Sequence, residues 1–434
     1  MTAPAGCVAV VGAGQAGLQL ATTLRALGYD GRVVLVGAEP ALPYQRPPLS
    51  KAYLAGTVPA EDLALRDPAY LAEQGVELVA GRRVVGATLT GVGGVLRLDD
   101  GVVLGFDRLA LTTGATARRL PVPGAGLPGV LGLRSVADAE QLRSGLAEAA
   151  DVVVVGGGFV GLEVAATARA QGKRVHVVEA ADRLLARVVA APFSAHVRAW
   201  HESRGTTVLT GASVSALDGT DRVTGVVLGD GRTLAADLVV TGVGAVPDVA
   251  LAQALGLEVE RGIVTDAAGR TSHPHVVAAG DCTVQPHPHL PGRGLGIESV
   301  NNAVEQASAA AAVLLDQEPA PRGVPWFWSN QGELRLQTAG IADGHDQVVV
   351  RGDGGADGTG RLTVLYYRAG RLIAADVAGN PRDFNAARDA LAHGLSVDPE
   401  AARDAGVPLK SLVEDPSAPA PTGPALAAHL TNGP

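Results

Sequence analysis

The sequence predicts an α/β protein in which two doubly wound, parallel-sheet units are followed by a smaller α+β domain. The first observation is a glycine-rich turn that occurs twice, at residues 12–17 (the first turn) and at residues 156–161 (the second turn). The second observation is that each turn follows a short β-branched run and opens a stretch of helical periodicity. The third is a change of character after Pro325, where tryptophans appear and apolar residues begin to alternate with polar ones.

Both turns have the spacing of a Rossmann-like dinucleotide-binding turn. The first glycine allows a tight bend out of the strand, the second allows close approach of a pyrophosphate, and the third lets the helix pack on the strand. The helix N-terminus presents free N–H groups and the positive end of its dipole to the phosphates. The residues predicted to bind the two dinucleotides are Gly12, Gly14, Ala16 and Gly17 in the first turn and Gly156, Gly158, Phe159, Val160 and Gly161 in the second.

An acidic residue follows the next predicted strand in each unit. Glu39 comes after strand 33–36, and Glu179 ends strand 175–178. A carboxylate at such a strand end accepts a hydrogen bond from a ribose 2′-hydroxyl and repels a 2′-phosphate. Glu179 therefore predicts NADH rather than NADPH, although Arg183 and Arg187 lie nearby and argue the other way. A solvated strand-end acid is the alternative interpretation of Glu179.

Length, charge and hydropathy limit the classes of function. A chain of 434 residues predicts two or three domains. The net charge of −9 argues against a nucleic-acid partner. No apolar run approaches the about 20 residues that a membrane helix needs, and no basic leader precedes the first strand. We expect a cytoplasmic protein without a membrane partner.

The chain divides into three domains and a tail. The strand-like ends at 109–115 and 238–245 resemble each other, and an Ala-rich helix is predicted at 298–315. The predicted domains are a first unit at 1–115 and 246–322, a second unit at 116–245, an α+β domain at 323–412 and a disordered Pro/Ala-rich tail at 413–434.

Five motifs in one order resemble those of a known family. They occupy residues 43–51, 156–165, 279–282, 298–303 and 325–329. Together they resemble the FAD-dependent NADH:ferredoxin reductases of the putidaredoxin-reductase and biphenyl-dioxygenase-reductase type, which are related to apoptosis-inducing factor. The resemblance implies a glutathione-reductase-like FAD/NAD(P) fold, with FAD on the first turn and NADH on the second.

The resemblance also implies the other site residues. Asp281 would bind the ribityl or phosphate end of FAD, and Val300 would back the isoalloxazine. The further residues implied for FAD are Ala38, Glu39, Arg46, Lys51, Val84, Thr113, Gly114 and Trp328, and those for NADH are Glu163, Glu179, Arg187 and Gly244. The family usually carries its ribose-binding acid at the position of Ala38, so Glu39 is a departure.

Lys51 and Glu163 are the implied catalytic residues. The resemblance places Lys51 near flavin N5 and pairs it with Glu163. A lysine there stabilises charge that develops as hydride arrives, and a carboxylate holds it in place. The alternatives are a surface lysine after a capping Ser50 and a carboxylate favoured by a helix dipole.

The implied function is an NADH:ferredoxin oxidoreductase. NADH would give hydride to FAD, and single electrons would pass to a 2Fe–2S ferredoxin that serves a haem monooxygenase or a ring-hydroxylating dioxygenase. An NADH oxidase or quinone reductase and a redox-sensing flavoprotein like apoptosis-inducing factor are alternatives. The protein is expected to be a monomer or weak homodimer.

The late motif ends in Asn330-Gln331-Gly332, without the family's usual acid and aromatic. Trp328, within this motif, is either a partner-facing residue or a core aromatic.

Cysteines and histidines exclude other chemistry. Cys7 and Cys282 are far apart in sequence and lack a C-x-x-C pattern, which argues against a thiol relay beside the flavin. The two His-Pro-His segments, 273–275 and 287–289, favour loops over a metal site because their prolines interrupt any regular ligand spacing. No metal is predicted.

Overall fold

The structure, a computed structural model, describes residues 6–415. Its framework consists of two five-stranded parallel sheets and one five-stranded antiparallel sheet. The α/β fold class predicted above is confirmed. Among residues 6–415, no helix combines the length and the apolar character needed to cross a bilayer.

The chain first forms most of one parallel sheet and an antiparallel layer. Short Val-rich strands pair here because they are buried on both faces. In chain order the elements are β1 (Cys7–Val11), α1 (Gln15–Ala26), β2 (Arg32–Gly37), α2 (Pro68–Glu73), β3 (Val76–Ala80), β4 (Val84–Leu89), β5 (Gly94–Leu98), β6 (Val103–Phe106), β7 (Arg108–Leu111) and β8 (Ala115–Ala117).

The second parallel sheet repeats this plan. Its strand order is β12-β11-β10-β16-β9. The elements are β9 (Val130–Gly132), α3 (Val136–Glu148), β10 (Asp151–Val155), α4 (Phe159–Ala170), β11 (Arg174–Glu179), α5 (Ala191–Ser203), β12 (Thr207–Thr210), β13 (Val214–Gly219), β14 (Val223–Leu228), β15 (Thr233–Ala235), β16 (Leu238–Thr241) and β17 (Ala245–Pro247). β17 pairs with β8, where the chain leaves and rejoins the first unit.

The chain then returns to the first sheet. The elements are α6 (Ala250–Ala254), β18 (Ile263–Val264), β19 (Val276–Ala278), β20 (Thr283–Pro286), β21 (Gly294–Leu295) and α7 (Val300–Leu314). β19 completes the order β19-β7-β1-β2-β3, and small side chains of α7 pack with α1 in one core. The helix begins at Val300 rather than at 298, because the Ser299 hydroxyl caps it by accepting from Asn302 N at 3.1 Å.

The last part is an antiparallel sheet with one helix. The elements are β22 (Trp326–Gln331), β23 (Leu334–Gly340), β24 (Gln347–Arg351), β25 (Leu362–Arg368), β26 (Arg371–Ala378), α8 (Pro381–Ala392), β27 (Ser396–Val397) and β28 (Val413–Glu414). The predicted start of the tail at 413 is wrong, because β28 pairs with β27 and Val413 packs against the domain core. The remainder of the predicted tail, 416–434, lies outside the described residues.

The second unit and the C-terminal domain share a hydrophobic core. Leu162 and Trp200 of the second unit belong to one cluster of buried residues with Leu336 and Tyr366 of the antiparallel sheet. This shared packing places β22 against α4, so that the late motif meets the helix of the second turn.

Candidate functional site

One cavity of about 540 Å³ brings together the predicted residues of the first turn and residues from all three parts of the chain. All the residues predicted for FAD line it except Gly17, which packs beneath the turn. The predicted residues in its wall are Gly12, Gly14, Ala16, Ala38, Glu39, Arg46, Lys51, Val84, Thr113, Gly114, Asp281, Val300 and Trp328.

The backbone of the first turn explains its glycines. Gly12 has φ +116°, and a Cβ there would lie 2.1 Å from Thr112 O. A Cβ on Gly17 would lie 1.9 Å from Gly12 O, so the helix approaches the strand only without side chains. Gly14 faces open space with no heavy atom within 4 Å, and it begins α1 without a side-chain cap. The turn therefore fits a pyrophosphate, which would accept from the free N–H groups.

The second turn has nearly the same backbone conformation but different surroundings. Gly156 has φ +109°, and a Cβ there would lie 2.4 Å from Gly242 O. Phe159, Val160 and Glu163, in the N-terminal half of α4, line the same cavity as the first glycine turn. The other residues predicted for NADH lie outside this cavity: Gly156, Gly158, Gly161, Glu179, Arg187 and Gly244.

Lys51 and Glu163 form the ion pair that the resemblance implies. Lys51 Nζ lies 2.6 Å from Glu163 Oε2, and their side chains are 18% and 4% exposed. Two hydroxyls complete the carboxylate's surroundings: Ser50 Oγ donates to Oε2 at 2.5 Å and Ser329 Oγ donates to Oε1 at 2.6 Å. Sequence reasoning did not assign these roles to Ser50 and Ser329, although each stands inside one of the five motifs.

Glu39 is held in the cavity wall by two side chains. Tyr44 Oη donates to Glu39 Oε2 at 2.6 Å, and Arg46 Nη2 lies 2.7 Å from Oε1. Burial raises the pKa of the Tyr44 phenol, so it remains a donor. A carboxylate one position later than the family's usual acid is thus still presented to the cavity, beside Ala38.

A second ion pair lies at the position predicted for the ribityl or phosphate end. Arg134 Nη2 of the second unit is 2.7 Å from Asp281 Oδ2. Glu298 also lines the cavity, and burial together with the charge of Asp281 raises the pKa of its carboxyl. Sequence reasoning missed Arg134, because no motif surrounds it and its partner is 147 positions away.

Glu179 is bound to the backbone of the second turn. Its Oε2 accepts from Gly157 N at 2.6 Å and its Oε1 from Ala181 N at 2.8 Å. The neighbouring Arg183 donates to the carbonyls of Ala186 and Val189 at 2.7 and 2.6 Å, within its own loop. That guanidinium is therefore engaged with loop carbonyls.

Aromatic side chains extend from the cavity to the surface of the C-terminal domain. The Phe159 and Phe327 rings are 4.7 Å apart in the cavity wall, and the Trp326 and Trp328 rings are 5.4 Å apart. The departure at Gly332 has a structural counterpart, because a Cβ there would lie 3.0 Å from the Trp200 ring of α5. Trp200 thus fills the space beside a position where the family usually has an aromatic.

The cavity wall contains no cysteine among the described residues. Both cysteines are free thiols, Cys282 is fully buried, and burial raises the pKa of both. Within residues 6–415 no group of three or more His, Cys, Asp or Glu side chains has a metal-binding arrangement. In each His-Pro-His loop the first imidazole accepts from a backbone N–H of the loop.

Known proteins match this chain over almost its whole length. Residues 7–307 match the pyridine nucleotide-disulphide oxidoreductase family, and residues 326–413 match the reductase C-terminal domain. Rhodocoxin reductase of Rhodococcus erythropolis is 42% identical over 407 residues, which cover 94% of each chain.

Two solved structures share the fold and much of the sequence. The reductase in the covalent putidaredoxin reductase–putidaredoxin complex has a TM-score of 0.89 and 38% identity, over 94% of this chain and 98% of that one. The ferredoxin reductase for the CYP199A2 system from Rhodopseudomonas palustris has a TM-score of 0.88 and 41% identity, over 94% of this chain and 100% of that one. The family's cofactors are FAD and NAD(P)H. The chain belongs to the pyridine nucleotide-disulphide oxidoreductase family, and within it to the flavoprotein ferredoxin reductases with a reductase C-terminal domain.

Proposed function

We propose that this protein is an NADH-dependent ferredoxin reductase that takes hydride from NADH and delivers single electrons to a 2Fe–2S ferredoxin. The observation that carries the proposal is one cavity that contains the first turn, the first helical residues after the second turn and the Lys51–Glu163 pair. FAD, when bound there, supplies the chemistry that accepts a hydride and releases electrons one at a time.

Residues of this chain prepare the cavity for negative charge. Lys51 presents an ammonium group to the cavity, and Glu163 holds it by an almost buried ion pair. The N-terminus of α7 also reaches the wall through Ser299 and Val300, and it contributes the positive end of a helix dipole. Preorganised positive charge of this kind stabilises charge that develops during hydride arrival.

The coenzyme preference follows from Glu179. A carboxylate fixed by Gly157 N and Ala181 N at the end of β11 suits a ribose with a free 2′-hydroxyl. The Arg183 guanidinium donates to loop carbonyls, so it does not serve as a cation for a 2′-phosphate. A cytoplasmic location is part of this proposal, since NADH is available as a reductant there.

The partner side is a groove beside the tryptophans. Trp328 lines the cavity, and Trp326 lines a neighbouring groove of about 1600 Å³ on the C-terminal domain. Arg388 lies over Trp326, with its guanidinium carbon 5.6 Å from the ring centroid. Arg351 and Asp383 form a buried ion pair beneath the groove. The other cations along it are Arg361, Arg382, Arg388, Arg403 and Lys410, against the carboxylates Glu305, Asp353 and Asp389. A positive groove on a chain of net charge −9 suits an acidic partner such as a ferredoxin.

The function is tested with the purified flavoprotein. We expect anaerobic NADH to bleach its yellow colour and cytochrome c reduction to require an added 2Fe–2S ferredoxin. A colourless protein without flavin would contradict the proposal. Rapid oxygen uptake without ferredoxin would favour an NADH oxidase, and very slow turnover with NADH-dependent dimerisation would favour a redox sensor.

The groove is tested by charge reversal. Arg388→Glu should raise the KM for ferredoxin, while NADH-dependent ferricyanide reduction stays unchanged because that small acceptor needs no docking. Arg335→Glu, at an exposed position outside the groove, is the matched control. Equal ferredoxin KM values for the two variants would remove the groove from the proposal.

A further inference from the structure

A buried chain of hydrogen bonds leads from Glu163 away from the cavity. Ser329 Oγ lies 2.6 Å from Glu163 Oε1, Gln331 Nε2 lies 3.3 Å from Ser329 Oγ, and His201 Nε2 lies 2.8 Å from Gln331 Oε1. Ser329, Gln331 and His201 each have an exposed fraction of 0%. Polar groups buried this completely are costly unless each has a partner.

The donor-to-acceptor direction of these hydrogen bonds follows from the first acceptor, the Glu163 carboxylate. An ionised carboxylate only accepts, so the one proton of the Ser329 hydroxyl points to Glu163. Ser329 Oγ then accepts a hydrogen bond from the amide N–H of Gln331. The Gln331 carbonyl oxygen is left to accept from His201. His201 must therefore carry its proton on Nε2, and every donor in the chain points toward Glu163.

The state of His201 agrees with this direction. Burial lowers its pKa to about 4, so the ring is neutral at physiological pH and has one N–H. Its Nδ1 has no hydrogen-bond partner among the described residues, whereas Nε2 faces Gln331. The positive charge of Arg204, which lies over the adjacent Trp200 ring, also disfavours a second proton on His201.

This chain of hydrogen bonds joins residues from all three parts of the molecule. Ser50 and Lys51 come from the first unit, Glu163 and His201 from the second, and Ser329 and Gln331 from β22. Ser329 lies 166 positions from Glu163, and Gln331 lies 130 positions from His201. Correct docking of the C-terminal domain is thus a condition for the surroundings of the ion pair.

We propose that Ser329, Gln331 and His201 are positioning residues, whose aligned hydrogen bonds hold the Glu163 carboxylate directed at Lys51. If the proposed function holds, on which this consequence depends, these residues set the reduction potential of the flavin beside Lys51. A carboxylate that accepts the Ser329 hydroxyl on Oε1 keeps Oε2 turned to the Lys51 ammonium, 2.6 Å away. A charged Glu163 offsets the ammonium of Lys51, and this lowers the potential relative to an unbalanced cation.

Reduction potentials test the proposal on the holoprotein. Glu163→Gln should raise the FAD midpoint potential, because Lys51 then lacks its counter-charge. Ser329→Ala should raise it less, Ser329→Thr should restore the wild-type value, and Ser329→Ala should add nothing in the Glu163→Gln background. Ser194→Ala is the matched control, since Ser194 is a buried serine whose hydroxyl donates to Leu184 O at 2.7 Å. A Ser329→Ala potential equal to that of the control, or a shift that persists with Glu163→Gln, would overturn the proposal.

Nitrogen-15 NMR of histidine-labelled protein gives a readout that does not depend on turnover or on a ferredoxin. The His201 signal is assigned by its loss in His201→Phe. We expect a neutral ring with the proton on Nε2 from pH 5 to pH 8, with or without FAD. A charged ring or a proton on Nδ1 would contradict the directed chain. If this signature is found in a protein that reduces no ferredoxin, the proposed function fails while the chain of hydrogen bonds stands.

Discussion

The two glycine turns have nearly the same backbone and very different surroundings. The first turn lies in the wall of a cavity, and its acid, Glu39, is held there by the side chains of Tyr44 and Arg46. The second turn reaches that cavity only through the start of α4, and its acid, Glu179, binds the turn's own backbone. A cofactor on the first turn would be surrounded by all three domains, whereas one on the second would meet fewer of them. This difference supports a resident FAD and an exchanging NADH.

Replacing the strained glycine of each turn should separate the roles of the two turns most strongly. Gly12→Ala should yield colourless protein, since a Cβ 2.1 Å from Thr112 O distorts the first turn and the positive φ costs roughly a further 1–2 kcal/mol. Gly156→Ala carries similar strain, with a Cβ 2.4 Å from Gly242 O, but it distorts only the second turn, so the protein should stay yellow and be bleached poorly by NADH. Absorbance spectra and NADH titrations measure both.

The control for these variants is Gly105→Ala, because Gly105 has open space around it and no positive φ. A yellow Gly12→Ala protein would contradict the proposed assignment of FAD to the first turn. Unchanged NADH bleaching in Gly156→Ala would contradict the assignment of NADH to the second.

Lys51→Met tests the point where the two turns meet. We expect hydride transfer to slow by about a hundredfold, the effect of removing one preorganised electrostatic group. The variant also leaves Glu163 buried without its cation, which destabilises a protein by about 3–5 kcal/mol. Stopped-flow bleaching measures the rate, and Lys51→Met combined with Glu163→Gln removes the unpaired charge. Wild-type hydride transfer in the stable double variant would exclude a catalytic role for Lys51.

Glu179→Ala tests the acid of the second turn. Loss of a charged hydrogen-bond acceptor should weaken the preference for NADH over NADPH by about 10- to 100-fold in kcat/KM, with FAD retained. Glu39→Ala, in the first turn's unit, should instead weaken FAD binding and leave the coenzyme preference unchanged. An altered preference in Glu39→Ala, together with an unchanged one in Glu179→Ala, would contradict the assigned roles of the two acids.

A smaller effect concerns how the second unit is anchored. Tyr366 Oη accepts from Ala190 N at 2.8 Å, just before α5, and donates to Asp376 of β26. Burial raises the pKa of Asp376 from 3.8 to about 7. The protonated carboxyl therefore stabilises the fold fully below pH 3.8, and this contribution is lost as pH rises through about 7.

Asp376→Asn should consequently flatten the pH dependence of stability between pH 4 and 7, where one proton corresponds to about 1.4 kcal/mol per pH unit. Urea unfolding at several pH values measures the slope. Asp221→Asn, an exposed position, is the control and should keep the wild-type slope. An unchanged slope in Asp376→Asn would show that this carboxyl does not bind the extra proton.

Local sequence patterns were enough to predict the elements whose information lies within a short segment. Val-rich runs predicted β1, β2, β10 and β11, because parallel strands buried on both faces exclude polar side chains. The glycines predicted both turns, because only glycine accepts the bend and the close helix–strand approach. The ordered motifs predicted the family, and the pairing of Lys51 with Glu163 came from that resemblance.

The side chains that complete the site come together only when the separate units pack. Arg134 reaches Asp281 across 147 positions, and Ser329 reaches Glu163 across 166. Trp200 meets Gly332 because the second unit and the C-terminal domain share a core. Local patterns record the backbone conformation and the burial of a segment, whereas such contacts depend on how separately formed units pack. That packing is also what makes two nearly identical turns unequal.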